Sequence, residues 1–318
     1  MNRKRRAVVT GVAGFIGSNL ADRLLAEGFD VVGLDNLSYG VLEQVPSAVE
    51  FHKTDIRGEA LEPLFRAADI VYHLAAKNCI ADCQADPVET ADINVTGTVK
   101  VFEAARRARV AKVVHAESSA LYEGIAHWPT PESDVRPESF YAVSKLAGMA
   151  FAGAYRRWSG MRMTALRYFC VYGPRQDYRR TIPPVMSAFI IKLLHGERPV
   201  IFGSGRKRRD FIYVDDVNDF HVLCATDPRT DGGTFNLGSG VNYSVRDIFD
   251  RVAALLGTRL EVEYGPDLPG EADETLADIS AARDLGWAPK VDLTAGLQRS
   301  IAYIREHVVP DATPAAAR

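Results

Sequence analysis

Tyr141 and Lys145 stand four residues apart in Tyr141-Ala142-Val143-Ser144-Lys145, a spacing that puts a phenol and an ammonium on one face of a helix. A free tyrosine titrates at about pH 10. It works as a base at neutral pH only where its phenolate is stabilised, and a neighbouring lysine does that. A further hydroxyl source, Ser118-Ser119-Ala120-Leu121-Tyr122, follows the strand pattern Lys112–His115 directly. Hydroxyls at strand ends of an open α/β sheet face its ligand crevice, so serine, tyrosine and lysine together suit proton transfer to and from a bound hydroxyl.

A second group is made for anions. Gly11-Val12-Ala13-Gly14-Phe15-Ile16-Gly17 follows the first strand pattern and opens the first helical one, the context in which glycines admit a pyrophosphate onto a helix N-terminus. The next strand ends at Asp35, 18 residues after Gly17, where a carboxylate holds ribose hydroxyls. Asn36-Leu37-Ser38-Tyr39 supplies no cation for a 2′-phosphate, which selects NAD over NADP.

These residues need a scaffold that brings strand ends together. Short β-branched runs at Ala7–Thr10, Val31–Leu34, Phe51–Lys53, Ile70–Leu74, Lys112–His115 and Met163–Tyr168 alternate with helical stretches at Phe15–Glu27, Leu61–Arg66, Val88–Arg109 and Glu138–Trp158. That rhythm predicts a Rossmann-type, doubly wound parallel sheet over residues 1–172. Residues 173–309 are less regular and read mainly as a smaller C-terminal α/β domain for the substrate, with the return of some elements to the first domain left open. It has helices at Pro184–His195, from Val214, at Val245–Leu256 and at Leu293–His307, and strands near Val200, near Phe211 and at Thr234–Leu237. Residues 310–318 read as a disordered tail and Met1–Arg6 as a solvated one.

Composition narrows the chemistry. The 318 residues are 47% apolar and 25% charged, with 38 Lys+Arg against 41 Asp+Glu and a net charge of −3, which excludes wholesale disorder and coiled coil and gives no reason to expect nucleic acid or an anionic membrane. The short basic run Arg206–Arg209 has no interleaved aromatics and does not change that. Cys79, Cys83, Cys170 and Cys224 are too few for a disulfide framework and lack zinc-ligand spacing, so no metal is expected and a reduced, cytoplasmic setting is. No apolar run approaches the roughly 18 residues of a membrane span.

The ordered set also includes His73-Leu74-Ala75-Ala76, Asn94, the run Leu166–Gln176 with Arg167-Tyr168-Phe169-Cys170, the run Arg209–Val217, and Phe235-Asn236-Leu237-Gly238. Over nearly its whole length the chain resembles the extended short-chain dehydrogenase/reductases, and within them the NAD-dependent epimerase/dehydratase family. The resemblance implies that Gly11, Gly14 and Gly17, with Phe15 and Ile16, line the NAD pyrophosphate. It puts Asp35 and Asn36 at the adenosine ribose, Asp55 and Ile56 at adenine, and Leu74 and Ala75 at the middle of the dinucleotide, with Ala76, Lys77 and Tyr168 completing that site. Tyr141 becomes the acid/base, Lys145 the holder of the nicotinamide ribose, and Ser118 a hydrogen-bond partner of the reacting hydroxyl. Arg209 pairs with the substrate diphosphate, and Ser119, Cys170, Arg179 and Phe202 complete the substrate contacts. The implied activity is a nucleotide-sugar 4-epimerase of the UDP-glucose, UDP-N-acetylglucosamine or UDP-glucuronate type, passing through a transient 4-keto sugar. The alternative is a dehydratase, decarboxylase or 4-keto reductase of the same family. A homodimer through the helices near Val88–Arg109 and Glu138–Trp158 is implied as well.

Departures from the family pattern refine this. Ser119 and Ala120 occupy places where dehydratases and decarboxylases carry acidic residues, which favours epimerisation, although Glu117 and Glu123 flank the segment. Glu123 replaces a common glycine and reads as a loop variation. Cys170 stands for an asparagine and Leu268, before Pro269-Gly270-Glu271, for an arginine, both of which touch the diphosphate in the family. Arg179, Arg180, Arg206, Lys207 or Arg208 would have to substitute. Lys77 is unusual too, and either reaches a substrate carboxylate or phosphate or snorkels to solvent. His73 reads as packing at its strand end.

Overall fold

A computed structural model describes residues 3–59, 61–180, 182–267 and 272–310. The departure at Leu268 with Pro269-Gly270-Glu271, and residues 311–318 of the expected tail, lie outside the described residues. The first half runs β1 (Arg6–Thr10), α1 (Phe15–Ala26), β2 (Asp30–Asp35), β3 (Glu50–Lys53), α2 (Glu62–Phe65), β4 (Ile70–His73), α3 (Ile80–Ala85), α4 (Pro87–Ala91), α5 (Thr98–Arg107), β5 (Lys112–Ser118), α6 (Phe140–Ser159) and β6 (Arg162–Tyr168). The second half runs β7 (Cys170–Tyr172), α7 (Val185–Leu194), β8 (Val200–Phe202), β9 (Arg208–Tyr213), α8 (Val214–Thr226), β10 (Thr234–Leu237), β11 (Asn242–Ser244), α9 (Val245–Leu256), β12 (Glu263–Gly265), α10 (Ser280–Arg283) and α11 (Leu293–His307).

Seven strands form one sheet in the order β10-β6-β5-β4-β1-β2-β3, every neighbouring pair parallel. This is the doubly wound arrangement, whose chain reversal beside β1 opens a crevice at the strands' C-terminal ends. Alternation within β5 shows how both faces are covered: Val114 and Ala116 pack in the core with Leu20 of α1 and Phe220 of α8, while Val113 packs with Phe102 of α5 and Ala152 of α6. A third apolar cluster joins α7, α9 and α11 to β9 through Phe189, Phe249, Leu297 and Phe211.

The structure makes one return that the sequence reading left open, and differs from that reading in two features. β10 and α8, although C-terminal to residue 172, belong to the main sheet and its covering layer, because Phe220, Phe235 and Leu237 bury against the first half. The single helix expected over Val88–Arg109 is interrupted by a π-helical turn, Asp92–Gly97, between α4 and α5. And Arg3–Arg6 are not a free tail: Arg6 opens β1 and pairs with Glu50 at 2.7 Å, while Arg3 pairs with Asp69 at 2.6 Å. Basic residues at the edge of a strand find carboxylates on neighbouring elements that one-dimensional patterning does not display. No helix among the described residues is long and apolar enough to cross a membrane.

Candidate active site

Every residue expected to touch cofactor or substrate lines one cleft of about 1110 Å³ at the C-terminal ends of the strands. Its floor is backbone. Gly11 has φ +74°, and a Cβ there would lie 2.8 Å from the Ala75 amide; a Cβ on Gly17 would lie 2.1 Å from the Gly11 carbonyl oxygen. Only glycine lets β1, the turn and α1 approach this closely. The N-terminus of α1 has no side-chain cap and no acidic residue in its first turn. Its partial positive charge is therefore left to an external anion.

Asp35 is held beside this turn. Its Oδ2 accepts from the Ala13 amide at 3.0 Å and its Oδ1 from the Leu37 amide at 2.8 Å. Burial pushes its pKa up and the two amides pull it back. Asn36 donates to Asp55 at 2.9 Å, and Arg57, which the sequence reading did not single out, holds the Asp55 carboxyl well below the usual range through its own hydrogen bonds. An uncapped helix end, a glycine cradle that a Cβ would fill and an anchored strand-end carboxylate are together the donor set that a dinucleotide requires.

On the opposite wall Ser118 ends β5 and Tyr141 opens α6, whose start is fixed twice. Ser139 caps it by accepting from the Ala142 amide at 3.1 Å. Glu123 in turn accepts from the Ser139 amide at 2.7 Å and from its hydroxyl at 2.8 Å. Glu123 is thus an anchor for the helix that carries Tyr141, which sharpens its reading as a loop variation. The Ser118 hydroxyl lies near the Tyr141 phenol and favours its charged form. Burial pushes the Tyr141 pKa up to about 12, against the pull of that hydroxyl and of the Arg180 charge. Lys145 donates from Nζ to the Ala116 carbonyl at 3.1 Å and lies 5.9 Å from the centre of the Tyr141 ring. Burial pushes its pKa down to about 8.

Asn94, quoted above only as part of a motif, sits in the π-helical turn. Its side chain accepts from the Lys77 amide at 2.8 Å and donates to the Lys77 carbonyl at 2.9 Å and to Ser144 Oγ at 3.0 Å. It ties the cleft loop to α6. A π turn at a functional site is a common exception to regular helix; no local periodicity displays it. Lys77 lines the cleft, but its buried side chain ends on Glu89 at 2.6 Å instead of in solvent. His73 is buried between Thr10 at 2.8 Å and Thr98 at 2.9 Å, and burial lowers its pKa to about 3, so it packs the strand end as expected.

The substrate side is made of side chains. Arg209 on β9 is steadied by the Arg208 carbonyl at 2.9 Å. The next residue, the buried Asp210, accepts from the amides of Ser239, Gly240 and Ala277. Of the five cations that could replace the family's missing diphosphate contacts, Arg179 and Arg180 line the cleft and Arg206, Lys207 and Arg208 do not. Lys207 pairs with Asp267, and Arg208 donates to Asn242 at 2.8 Å.

Residues 7–238 match the NAD dependent epimerase/dehydratase family. Among curated proteins the chain is 40% identical over 310 residues to the UDP-glucose 4-epimerase of Mycolicibacterium smegmatis, covering 94% of this chain and 98% of that one. Among solved structures it is similar to the UDP-glucose 4-epimerase of Thermotoga maritima with UDP-glucose, at TM-score 0.91 and 33% identity over 95% of this chain and 99% of that one. It is also similar to the UDP-glucuronic acid 4-epimerase of Bacillus cereus in complex with UDP-glucuronic acid and NAD, at TM-score 0.88 and 30% identity over 95% and 99%. With the family model covering most of the chain and the glycine turn and Tyr141/Lys145 pair within the matched segment, the chain belongs to the NAD dependent epimerase/dehydratase family.

Proposed function

We propose that the protein is an NAD-dependent 4-epimerase of nucleotide sugars, acting on a UDP-hexose or UDP-hexuronate through a transient 4-keto sugar. The observation that carries this is the convergence of Ser118, Tyr141 and Lys145 on one wall of a cleft whose other wall is the glycine cradle. NAD, held by the glycine turn and Asp35, would supply the acceptor and donor of hydride for C4 of the sugar. Tyr141 removes the proton of the 4-hydroxyl and gives one back, and Ser118 holds that oxygen in line with the phenol. Lys145, as an ammonium, lowers the cost of the phenolate. Arg209, with Arg179 or Arg180 in place of the family asparagine, neutralises the diphosphate while the keto sugar turns its other face.

Epimerisation is favoured over dehydration or decarboxylation by what the two flanking carboxylates do. Glu117 is paired with Arg167 at 2.8 Å and Glu123 caps the start of α6, so neither is left as a further proton carrier. We also infer a cytoplasmic homodimer with the substrate between the sheet and the smaller C-terminal layer. Phe140, Val143 and Phe151 on α6 and Val88 on α4 are exposed apolar residues on the helices expected to meet.

The test is incubation of the purified protein, without added NAD, with UDP-glucose, UDP-N-acetylglucosamine and UDP-glucuronate, followed by anomeric-proton NMR and mass spectrometry. A galacto-configured product of unchanged mass is expected from at least one. Loss of water or carbon dioxide, or silence that persists after NAD is added, overturns the reading.

A further inference from the structure

We propose that Glu117 is a positioning residue of the Ser118–Tyr141–Lys145 centre: its buried carboxylate is the counter-charge that keeps the Lys145 amine an ammonium in a water-poor pocket. The inference rests on the reading of Tyr141 and Lys145 given above.

The geometry starts in β5. Val113, His115 and Glu117 alternate onto the face covered by α5 and α6, and Val114 and Ala116 onto the other. Because β5 and β6 are parallel, the helix joining them runs back along β5. His115 abuts α6 at Gly148, where a Cβ would come within 2.9 Å of Nε2. Moving two residues up the strand covers about 7 Å, and moving three residues toward the start of α6 covers about 4.5 Å. Glu117 and Lys145 therefore lie together at the top of the same layer. The Lys145 amine docks on the Ala116 carbonyl at 3.1 Å, the oxygen of the peptide that leads into Glu117.

The charges around this point do not balance without Glu117. Its side chain is 0% exposed and that of Arg167, its register partner on β6, 2%. Arg167 gives Nε to Glu117 Oε2 at 2.8 Å and Nη1 to the Tyr122 hydroxyl at 2.8 Å and the Glu132 carbonyl at 2.7 Å, all neutral except the first. Glu117 Oε1 is buried with no hydrogen-bond partner. The half-buried Glu132 carboxylate also acts on Arg167, and Glu117 is shared between Arg167, which it holds through Oε2, and Lys145. The other titratable groups acting on Lys145 are Cys83 from α3, whose thiol burial keeps protonated, the neutral His73 of β4 and His115 of β5, and Tyr141 of its own helix. Among them Glu117 is the anion, its charge favoured by Arg167 and Lys145 against a burial that pushes its pKa up, and it is the first group that pulls the Lys145 pKa back up against burial. A carboxylate that merely stapled β5 to β6 would have no bearing on how the reaction responds to pH.

The test is the pH–rate profile of Glu117→Gln, which keeps an acceptor for Arg167 and removes the charge. The alkaline limb of kcat is expected to move down by about one pH unit, with Glu117→Asp restoring most of it. In a Lys145→Arg background, where the cation no longer titrates, the Gln substitution should leave the limb in place. A rate lowered equally at every pH, or a shift that persists in the Lys145→Arg background, overturns the proposal. Should Glu117→Gln fail to fold, Glu117→Gln/Arg167→Met removes both charges together and must shift the limb in the same direction by less, because a neighbouring cation leaves with the anion. The ¹⁵N NMR shift of the Lys145 amine, assigned by its loss in Lys145→Met, reads the same linkage without turnover: loss of Glu117 should move the Lys145 ionisation to lower pH. If no sugar is converted, the proposed function fails while this titration still decides the role of Glu117.

Discussion

The glycine turn after β1 and the basic strand β9 face one cleft and are built from opposite materials. At the turn the working groups are amides of an uncapped helix, and a single methyl on Gly17 would collide with the Gly11 carbonyl at 2.1 Å. At β9 the working group is the long Arg209 side chain, half-buried and steadied by a backbone carbonyl. A wall made of backbone has one sequence solution, whereas a wall made of side chains can exchange one cation for another. Cys170 in place of the family asparagine, with Arg179 and Arg180 lining the same cleft, is the exchange we propose.

The largest effect is expected where the two walls meet. Tyr141→Phe should lower kcat by about 10²–10⁴-fold with KM and co-purifying NAD unchanged, as measured by steady-state kinetics and by NAD released on denaturation. Loss of NAD in this variant would mean that the catalytic wall also builds the cofactor wall, and the contrast drawn above would be wrong. Lys145→Met comes next and acts in opposite directions on activity and stability. Burial takes Lys145 from the ordinary 10.5 down to about 8, so the folded protein bears the cost of a buried ammonium in full below that pH. The cost fades as pH rises from about 8 toward 10.5, where the unfolded chain also loses the proton. Urea unfolding at neutral pH and matched NAD occupancy should rank Lys145→Met above the parent by on the order of 3 kcal/mol, with the gap closing by the alkaline end. A gap that does not vary with pH would show that packing, not charge, sets it.

Gly17→Ala sharpens the backbone side of the comparison. Overpacking against a carbonyl that cannot move should cost about 1–3 kcal/mol and strip co-purifying NAD. Gly14→Ala, whose added Cβ would meet only the Gly11 oxygen at 3.2 Å, should be milder by both measures. Equal effects would mean that flexibility, not the close approach, is what the turn requires.

The same contrast explains what was legible in the chain. β1, β2 and Asp35 were readable because the βαβ unit is local and its glycines admit no substitute. Helices α9 and α11 were readable from periodicity, and in the structure Ser244 and Asp292 cap them. The partners of Glu117 and Glu123 were not. Arg167 lies 50 residues from Glu117 and Ser139 lies 16 from Glu123, so the sequence displays two acids beside a catalytic motif without showing that one is buried on a cation and the other caps a helix. The π-helical turn at Asp92–Gly97 was hidden for a related reason. Asn94 is held by Lys77 and Ser144, contacts made across the fold, and apolar spacing over Val88–Arg109 carries no trace of them. β10 was legible as a strand but its partner was not, because an edge strand's partner, here β6, is chosen by burial of Phe235 and Leu237 and not by any neighbour in sequence.

Arg209→Met tests the exchangeable wall and should have the smallest effect. A charge-assisted hydrogen bond contributes about 1.5–3 kcal/mol where it is dry, and exposure reduces that, so the half-buried Arg209 should raise KM for the nucleotide sugar by about tenfold, the low end of that range, and leave kcat within a few-fold. The diphosphate lies away from the carbon being inverted, which makes its binding common to ground and transition states. If Arg179 and Arg180 share the load, Arg179→Met should raise KM by a similar factor, and the two substitutions together should cost more than the product of the singles, because the second removes the cation that was compensating for the first. If Arg209→Met instead lowers kcat by the full factor with KM unchanged, the guanidinium is placing the sugar relative to Tyr141, and the substrate wall is as intolerant of exchange as the glycine turn it faces.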